Sequence, residues 1–452
     1  MSLQEKTTAS TDRLGENTGR IRSRRSVPGR VGASVSAAEA MAPVVAGLVG
    51  GLPLRVEFWD GSGLGPTDGA AVLHVRSGDA LRRILWAPGE LGVGRAFVAG
   101  ELDYTGDLFD LIRSLRPAGV RLHDARRSTL AALAGTHRLG LLGRPLPAPV
   151  EEARPHRRQH SKRRDAAAIS HHYDVSNEFY QLVLGDSMTY SCARFVDTTT
   201  TLTDAQTAKH ELICRKLGLH EQPGMRLLDV GCGWGSMAIH AAHHHGTRVV
   251  GITISRQQAV EARRRVAEAG LADLVEIRLQ DYRDLAGERF DAISSVGMFE
   301  HVGKSRTADY FAILRSALVP RGRLLNHAIS SVGGSRLGPR SFIYRYVFPD
   351  GELIDIGDVA LAMQAAGLEL RDVESLREHY QRTLQQWVAN LEKHWDEAVA
   401  MVGEPRARVW LLYMAASAIG FEDGGINIHQ TLGVLPDSTG ATDMPPTRRD
   451  WD

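Results

Sequence analysis

The spacing of apolar and polar residues divides the chain into two regions with different periodicities. Between residues 54 and 115, apolar residues alternate in LRVEFWDG and AAVLHVRSG, as in strands that end in Gly turns, and recur at helical spacing in DALRRILW and DLFDLIRSL. From residue 166 to about residue 330, helical segments such as SRQQAVEARRRVAEAG separate short apolar runs: RLLDVG, RVVGITIS, VEIRLQD, FDAISSVG and RLLNHAIS. Strands that alternate with helices favour right-handed crossovers and a parallel sheet with helices on both faces. The pattern therefore predicts a small α+β domain followed by a larger α/β domain.

Changes in composition mark the expected boundaries of these domains. The first residues are rich in Ser, Thr, Gly and Arg, and a segment with Pro145, Pro147 and Pro149 precedes the basic run ARPHRRQHSKRRD. The expected divisions are a disordered tail (1–35), a small N-terminal domain (36–118), a basic, Pro-containing linker (119–165), a large α/β domain (166–435) and a flexible C-terminal tail (436–452).

Bulk composition excludes several classes of protein and names no function. The chain has 452 residues, of which 43% are hydrophobic and 24% charged, as in soluble globular proteins. Lys and Arg number 54 against 53 for Asp and Glu, so no global charge attracts a nucleic acid. The apolar stretch at residues 41–54 is shorter than the roughly 20 residues of a membrane span. We therefore expect a cytoplasmic protein.

The cysteines predict neither disulfides nor a metal site. Cys192, Cys214 and Cys232 are too few and too scattered for a disulfide framework or a CxxC metal motif. This usage fits a reducing compartment, and no metal is expected.

An apolar strand followed by alternating glycines is the clearest single motif in the chain. In LLDVGCGWG, Gly231, Gly233 and Gly235 allow a sharp turn and a close approach of the backbone to a ligand, at the strand end where α/β folds bind cofactors. A dinucleotide site would need GxGxxG and an acidic residue about 20 positions further on. This loop is GxGxG, and the next strand ends in TIS (253–255) without a carboxylate. These features favour a site for a cofactor other than a dinucleotide. A nicotinamide-dependent enzyme and a glycine turn that serves only packing are the two alternatives.

The loop and its surroundings resemble the S-adenosylmethionine methyltransferase fold. Asp229 precedes the loop, and the third strand ends in Gln280, Asp281 and Tyr282. The resemblance implies an α/β, Rossmann-like class I methyltransferase domain with a mostly parallel, seven-stranded sheet. It also implies that Asp229 supports the loop that faces the methionine part of the cofactor, and that Asp281 and Tyr282 flank the adenine.

Further motifs narrow the resemblance to one family. From about His171 to the C-terminus, the chain resembles the cyclopropane fatty acid synthase family in a series of motifs that follow each other in order. These motifs are YSCARF (190–195), LLDVGCGWG (227–235), GITISRQQ (251–258), QDYRDL (280–285), VGMFEHVG (296–303), the strand with His327 and YVFPDGEL (346–353). The small N-terminal domain is similar to that of bacterial members that act on intact phospholipids, which implies a domain that associates with lipid or membrane.

This resemblance implies S-adenosylmethionine as co-substrate and indicates its binding residues. Tyr190 and Ser191 would contact the methionine end, and Thr253 and Gln258 would take the role that a carboxylate has toward the ribose in other methyltransferases. The complete set of predicted cofactor residues is Tyr190, Ser191, Asp229, Gly231, Gly233, Thr253, Gln258, Gln280, Asp281 and Tyr282.

The resemblance also implies a catalytic pocket that holds a bicarbonate ion. The matching residues are Cys192 in YSCARF, Glu300 in FEHVG, His327 in LLNHAIS and Tyr380 in EHY. Each of these alone is more typical of plain structure, such as a buried thiol or a core tyrosine with its hydroxyl bonded. Four matches within their motifs favour the catalytic interpretation.

The implied substrate is a cis double bond in a fatty acyl chain of a phospholipid. Methyl transfer to an alkene leaves a carbocation, so the pocket must exclude water and present aromatic faces. The candidate aromatic residues are Phe299, Tyr344, Tyr346, Phe348 and Trp387. Loss of a proton then gives either a cyclopropane ring or, after a hydride shift, a methylene branch that a separate reductase would convert to a methyl branch.

Some motifs favour the methylene branch and others favour the cyclopropane ring. Ser417 stands where a helix of the phospholipid cyclopropane synthases carries a Cys, and ILWAPGELGVGRAFVAGELDYTGDL resembles actinobacterial fatty-acid methyltransferases that form 10-methylene precursors of tuberculostearic-type acids. FEHVG, in contrast, is the cyclopropane-synthase form. We favour the methylene-branched product and keep the ring as the alternative.

Alternative functions and the expected partners complete the sequence-based hypothesis. An inactive lipid-binding homologue is a minor alternative, and a small-molecule or nucleic-acid methyltransferase is disfavoured by the N-terminal domain and the near-zero net charge. The basic cluster at residues 154–164 predicts peripheral contact with acidic lipid, against a solvated tether as the simpler explanation. Family resemblance suggests a homodimer.

Overall fold

The computed structural model describes most of the chain, and the described residues from Ser36 onward belong to one compact unit. The expected tail, apart from Val35, and the basic cluster at residues 154–164 lie outside the described residues. The described ranges are 35–49, 52–69, 71–115, 121–122, 125–153, 176–285, 287–334, 338–349 and 351–451.

Helices and strands alternate through most of the described chain. The helices are α1 (Ala37–Ala46), α2 (Gly78–Trp86), α3 (Glu90–Val98), α4 (Leu108–Leu115), α5 (Ala125–Arg138), α6 (Asn177–Leu184), α7 (Leu202–Leu217), α8 (Ser236–His245), α9 (Arg256–Glu268), α10 (Thr307–Ser316), α11 (Phe342–Tyr346), α12 (Ile356–Ala365), α13 (Arg377–Lys393), α14 (Trp395–Val402) and α15 (Glu404–Glu422). The strands are β1 (Leu48–Val49), β2 (Arg55–Phe58), β3 (Gly63–Leu64), β4 (Ala71–Val75), β5 (Leu102–Gly106), β6 (Arg121–Leu122), β7 (Arg226–Val230), β8 (Arg248–Thr253), β9 (Val275–Leu279), β10 (Phe290–Val296), β11 (Leu318–Ser331), β12 (Ile354–Asp355), β13 (Glu369–Ser375) and β14 (Ile426–Val434).

The large sheet confirms the predicted α/β fold. Its strands lie in the order β13-β14-β11-β10-β7-β8-β9, and the short β12 pairs with the end of β11. Strand β14 runs antiparallel to both of its neighbours, while β11, β10, β7, β8 and β9 are mutually parallel. The order reverses at β7, so the loops after β7 and β10 open a crevice at the carboxyl edge of the sheet.

Both faces of this sheet are buried, which explains the nearly continuous apolar runs of its strands. In β7, Leu227 belongs to the core cluster beneath α7, α8 and α9, whereas Leu228 belongs to the cluster beneath α10 and α12. Successive side chains of a strand point to opposite faces, so a strand between two helical layers needs apolar residues at every position.

The N-terminal region is the small α+β domain that the alternating pattern predicted. Its sheet has the order β3-β2-β4-β5, with β2 and β4 parallel and the outer pairs antiparallel. Helix α2 begins after Ser77, whose side chain accepts a hydrogen bond from the backbone N–H of Asp79. Helix α4 buries Leu108 and Leu111.

One apolar core joins this domain to the helices of the larger domain. Phe97 and Leu111 belong to the same buried cluster as Trp387 of α13 and Trp410 of α15. At the edge of this core, the Arg113 guanidinium donates two hydrogen bonds to Glu422, at 2.8 and 2.7 Å. In the described part of the chain, no helix is long and apolar enough to cross a membrane.

The described part of the expected linker differs from a loose tether. Residues 125–138 form α5, which packs on α1. The extended segment that follows is held by its backbone carbonyls, because the Arg83 guanidinium donates to the carbonyl of Pro147 at 2.7 Å and the Trp86 indole donates to that of Gly143 at 3.0 Å. Proline has no N–H to donate but keeps its carbonyl, so arginine side chains of a neighbouring helix can order such a segment.

The structure also differs from the expected flexible C-terminal tail. Trp451 is only 6% exposed and packs with the core cluster beneath α7, α8 and α9. The carboxylate of Asp437 pairs with Arg321, and Arg448 pairs with the buried Asp372. Trp451 and three ion pairs, the third between Asp443 and Arg321, hold a segment that has no periodicity of its own.

The buried carboxylate of Glu152 contacts helices of both domains, so its removal should lower the stability of the whole fold. The Glu152 side chain is 1% exposed and accepts hydrogen bonds from Arg95 of α3 at 2.6 and 2.7 Å while also pairing with Arg345 of α11. Glu152→Ala would leave two guanidinium groups without their anion, so we expect it to lower the unfolding free energy by about 3–5 kcal/mol in urea denaturation. The matched control is Glu268→Ala, which removes an exposed partner of Arg264 and should change stability little. Equal losses in the two variants would contradict the prediction.

Candidate active site

The glycine loop connects β7 to α8 in a backbone conformation that needs glycine. Gly231, Gly233 and Gly235 have φ values of 76°, 55° and 84°. A Cβ on Gly231 would lie 3.0 Å from the side chain of Met298, whereas one on Gly233 would point into open space. The loop is tied to the next strand, since the N–H groups of Gly231 and Cys232 both donate to the carbonyl of Ile252. Its open side faces a cavity.

This cavity, of about 140 Å³, collects all the cofactor residues that the sequence predicted. It lies at the carboxyl ends of β7, β8, β9 and β10. The predicted residues that line it are Tyr190, Ser191, Asp229, Gly231, Gly233, Thr253, Gln258, Gln280, Asp281 and Tyr282. They come from separate parts of the chain, and the sheet order brings them together.

Asp229 offers an unsatisfied acceptor at the wall of the cavity. Its Oδ1 accepts a hydrogen bond from the Ser294 hydroxyl at 2.8 Å, while its buried Oδ2 has no hydrogen-bond partner among the described residues. Burial raises the pKa of Asp229 to about 6, although Ser294 and the Lys209 ammonium act in the opposite direction. A cationic ligand group at Oδ2 would relieve the cost of burying this carboxylate.

Strands β8 and β9 end in polar side chains whose orientation is set by contacts within the protein. The Thr253 hydroxyl donates to Oε1 of Gln258 at 2.9 Å, which aligns the end of β8 with the first turn of α9. The carboxylate of Asp281 accepts from the Arg283 guanidinium at 2.8 and 2.6 Å. The Tyr282 ring stands edge-on to Tyr310, with centroids 5.0 Å apart.

The four predicted catalytic residues lie behind the cavity rather than in its wall. In the described part of the chain, none of Cys192, Glu300, His327 and Tyr380 lines the cavity, but their neighbours do, including Ser191, Gly297 and His301. All four are buried or belong to buried turns. We call these four residues the second layer: the N–H of Gly297 donates to the carbonyl of His327, and Tyr380 packs on Trp387, which contacts Tyr190.

Glu300 and His327 are brought together at the ends of β10 and β11. The parallel register pairs Val296 with His327, and the turn after β10 returns Glu300 to β11, where its Oε1 accepts from the N–H of Ile329 at 2.7 Å. His327 is fully buried, and its Nδ1 lies 3.2 Å from the amide nitrogen of Gln430. The other polar atoms of the pair, Glu300 Oε2 and His327 Nε2, are buried without a hydrogen-bond partner among the described residues.

Burial controls the protonation of this pair. It raises the pKa of Glu300 to about 7 and holds the pKa of His327 well below the ordinary histidine value. At neutral pH the imidazole is therefore uncharged, and the carboxyl group is near its midpoint. A buried polar atom without a partner, such as Glu300 Oε2 or His327 Nε2, can form a hydrogen bond with a small polar guest.

Cys192 and Tyr380 approach each other at the start of α13. The Cys192 thiol lies 3.2 Å from the carbonyl of Ala193 and 3.6 Å from that of Leu376, and the same Leu376 carbonyl accepts from the N–H of Tyr380. Burial raises the pKa of the Cys192 thiol, so it remains protonated at neutral pH. This thiol is suited to donating a weak hydrogen bond and not to acting as a nucleophile.

An aromatic wall connects the cavity to the second layer. The Tyr190 hydroxyl donates to the Tyr413 hydroxyl at 3.0 Å, and the Tyr190 ring packs against Trp387 and Trp410 at centroid distances of 5.4 and 5.8 Å. Burial, with the Glu300 carboxylate nearby, raises the pKa of Tyr413 to about 12. This wall consists of Tyr190, Trp387, Trp410 and Tyr413. Of the aromatic residues expected from the sequence, Trp387 is part of it, and Phe348 packs against Tyr413.

The sequence analysis missed Lys209, which lines the cavity. Lys209 is 1% exposed, and its ammonium donates to the Ser191 hydroxyl at 3.0 Å. Burial lowers its pKa to about 7, against the opposing effect of Cys192 and Asp229. A signal was available, because Ala205, Lys209 and Leu212 share the apolar face of α7 at helical spacing.

His301 is the second residue that the sequence analysis missed. It belongs to the FEHVG motif and lines the cavity directly. Burial lowers the pKa of His301 to about 4, so its imidazole is neutral at physiological pH. Its ring lies 6.1 Å from that of Phe348.

The sheet order, the glycine loop and the cavity beside it define a Rossmann-like, S-adenosylmethionine-dependent methyltransferase. The model of the mycolic acid cyclopropane synthetase family matches residues 160–431, and the chain belongs to this family. The solved structure of mycolic acid cyclopropane synthase CmaA1 in complex with SAH and CTAB is 34% identical, with a TM-score of 0.56 over 60% of this chain and 98% of that one.

Two relatives match along most of the chain, including the N-terminal region. A probable fatty acid methyltransferase of Mycobacterium tuberculosis is 44% identical over 406 residues, which cover 87% of this chain and 93% of the relative. The tuberculostearic acid methyltransferase UfaA1 of the same organism is 34% identical over 84% of this chain and 87% of its own length. The family relation supports an enzyme that methylates or cyclopropanates lipid fatty acids.

The raised pKa of Glu300 predicts a pH-dependent stability. Because its pKa moves from 4.5 to about 7 on folding, protonated Glu300 stabilises the fold below about pH 4.5, and this contribution is lost as the pH rises to about 7. Glu300→Gln removes this loss. We therefore expect the unfolding free energy of the variant to increase relative to the native chain between these pH values and to stay level above them. Urea denaturation at several pH values measures the difference, and parallel profiles would contradict the assignment.

Proposed function

We propose that this enzyme transfers the methyl group of S-adenosylmethionine to the cis double bond of an unsaturated acyl chain of a phospholipid and forms a methylene-branched chain. The observation that carries the proposal is the cavity lined by all ten predicted cofactor residues, with Glu300 and His327 directly behind it. When bound, S-adenosylmethionine supplies a methyl group that its sulfonium charge makes electrophilic. The residues of this chain would bind S-adenosylmethionine, exclude water and position the base that removes a proton from the acyl cation.

Cofactor binding follows from the polar atoms of the cavity. Asp229 Oδ2, which has no partner among the described residues, would accept from the ammonium of the methionine portion, and the open side of Gly233 would let the ligand approach the backbone. The Thr253 and Gln258 pair would bind the ribose hydroxyls. Tyr282 and Asp281 would flank the adenine at the end of β9.

The aromatic wall suits the cation that forms on the acyl chain. The rings of Tyr190, Trp387, Trp410 and Tyr413 pack on one another, with Tyr190 tilted against both tryptophans and Trp410 edge-on to Tyr413. Aromatic faces attract a positive charge, and exclusion of water protects the cation from capture. The wall lies between the cavity and Tyr380, whose ring packs on Trp387.

Proton removal is proposed to occur at the bicarbonate pocket formed by Cys192, Glu300, His327 and Tyr380. The residues fit the ion, since Glu300 Oε2 and His327 Nε2 are buried polar atoms that lack partners among the described residues. When bound there, bicarbonate would supply an anionic base beside the cation. Glu300 has a pKa of about 7, so its carboxyl group can donate a hydrogen bond and hold the ion in place.

The methylene product is supported by the relatives that share the N-terminal region. Two relatives matched over more than 80% of this chain bear the names fatty acid methyltransferase and tuberculostearic acid methyltransferase. The ring-closing alternative rests on the family name and on the FEHVG motif. In both cases the first step and the pocket are the same.

Contact with a membrane surface is part of the proposal. Large apolar side chains stand exposed in the N-terminal region, including Trp86 at 53% and Leu130 at 65%. Such residues suit an interface with lipid, and the basic cluster at residues 154–164 would add attraction to acidic headgroups. A cytoplasmic location, a homodimer and a separate reductase stay predictions.

The product itself is the first test. The full chain is incubated with isotope-labelled S-adenosylmethionine and vesicles of a phospholipid with one cis double bond, and the acyl chains are analysed by mass spectrometry and NMR. We expect one added carbon and vinylidene protons. Ring protons would instead establish the cyclopropane alternative, and no transfer to the acyl chain would contradict the proposed substrate.

The bicarbonate pocket is tested at Glu300. We expect Glu300→Gln to lower kcat about 100-fold or more, because the group that orients the base is lost, while the affinity for S-adenosylmethionine stays within about threefold. Glu268→Gln, on the exposed face of α9, is the matched control and should retain full activity. Removing bicarbonate from the buffer should slow the native enzyme and leave Glu300→Gln unchanged. Normal turnover in Glu300→Gln would contradict the pocket.

A further inference from the structure

A second cluster of reactive side chains lies outside the proposed active site, between α7 and α8. The Cys214 thiol of α7 and one nitrogen from each of His240 and His245 of α8 all lie within 4.8 Å of one another. Cys214 is fully buried, and the His240 and His245 side chains are 8% and 9% exposed. None of the three lines the cofactor cavity among the described residues.

A carboxylate stands directly beside the two imidazoles. Oε2 of Glu211 lies 3.2 Å from Nε2 of His240 and 3.0 Å from Nε2 of His245. The Glu211 side chain is 32% exposed, so the cluster is open to solvent on this side. The four side chains offer one sulfur, two nitrogens and one oxygen.

This donor set matches the chemistry of a divalent transition metal. Zinc takes four ligands from cysteine, histidine and carboxylate at about 2.0–2.3 Å, which places the ligand atoms of a tetrahedron about 3.3–3.8 Å apart. Atoms that are already within 4.8 Å reach that spacing by small side-chain rotations. A thiolate with two imidazoles favours zinc or cobalt over magnesium or calcium, which prefer oxygen ligands.

A metal binds the thiolate form of cysteine and the neutral form of histidine, so metal binding would release the proton of the Cys214 thiol to the buffer.

We infer that Cys214, His240 and His245, with Glu211 beside them, form a binding site for a zinc-class divalent metal that ties α7 to α8. The same two helices carry Lys209 and Ser236, which line the cofactor cavity. A metal at this point would stabilise the wall of the cavity from outside. The site is independent of the proposed reaction, because no residue of the cluster is assigned to cofactor or substrate.

The test uses the full chain, free of affinity tags and treated with a chelator, and Co(II) as the probe. We expect one Co(II) per chain with the intense visible bands of a four-coordinate ion and a thiolate charge-transfer band. Cys214→Ala should abolish the charge-transfer band, and His245→Gln should weaken binding about 10–100-fold. His243→Gln, at an exposed histidine of the same helix, is the matched control and should bind as the native chain does.

Thermal unfolding gives a second measurement that does not depend on the cysteine variant. At one Zn(II) concentration, the Tm of the native chain and of His243→Gln should rise by similar amounts, and the Tm of His245→Gln should rise less. The affinity of each metal-free variant for S-adenosylmethionine confirms that it is folded. Binding that Cys214→Ala leaves unchanged and His243→Gln abolishes would show attachment to surface histidines only. That result, or the absence of any Zn(II) effect on the native chain, would overturn the inference.

Discussion

The parallel register of β7, β10 and β11 is the constraint on which the rest of the site depends. It places Asp229 opposite Ser294 and Val296 opposite His327, so the loops that follow these strands meet at one edge of the sheet. Glu300 reaches the backbone of β11 only because the turn after β10 is short. A shift of one residue in this register would turn every side chain to the opposite face.

Burial gives the edge of the sheet its electrostatic character. It moves the pKa of Asp229 and Glu300 upward and the pKa of Lys209 and His301 downward, so each group shifts toward its neutral form. At neutral pH, Asp229 is still mostly ionised, whereas Lys209 and Glu300 are near their midpoints. Binding a sulfonium would favour ionised Asp229 and would disfavour a protonated Lys209. Binding of a cation at this wall would therefore change the protonation of these groups.

The N-terminal domain and the larger domain share one apolar core, which links the proposed lipid-facing surface to the reaction site. Phe97 and Trp410 belong to the same cluster, and Trp410 also packs on Tyr190 in the wall of the cavity. Glu152 lies between α3 and α11 with a side chain that is 1% exposed. A contact at the N-terminal surface is thus separated from the aromatic wall only by packed side chains.

The sequence by itself determined the α/β fold and predicted ten residues that the structure gathers around one cavity, because both depend on local patterns: apolar runs at strand spacing, a glycine loop and short motifs at strand ends. In the described segments without such patterns, the structure differs from the expected linker and flexible tail. The Pro-rich stretch is ordered by Arg83 and Trp86, and the C-terminal segment by Trp451, through contacts that lie far away in the chain. Only the tertiary structure revealed that Lys209 is buried in the cavity wall and that Cys214 meets His240 and His245. Their spacing along the chain carries no motif, and helix packing alone brings these atoms within reach of one another.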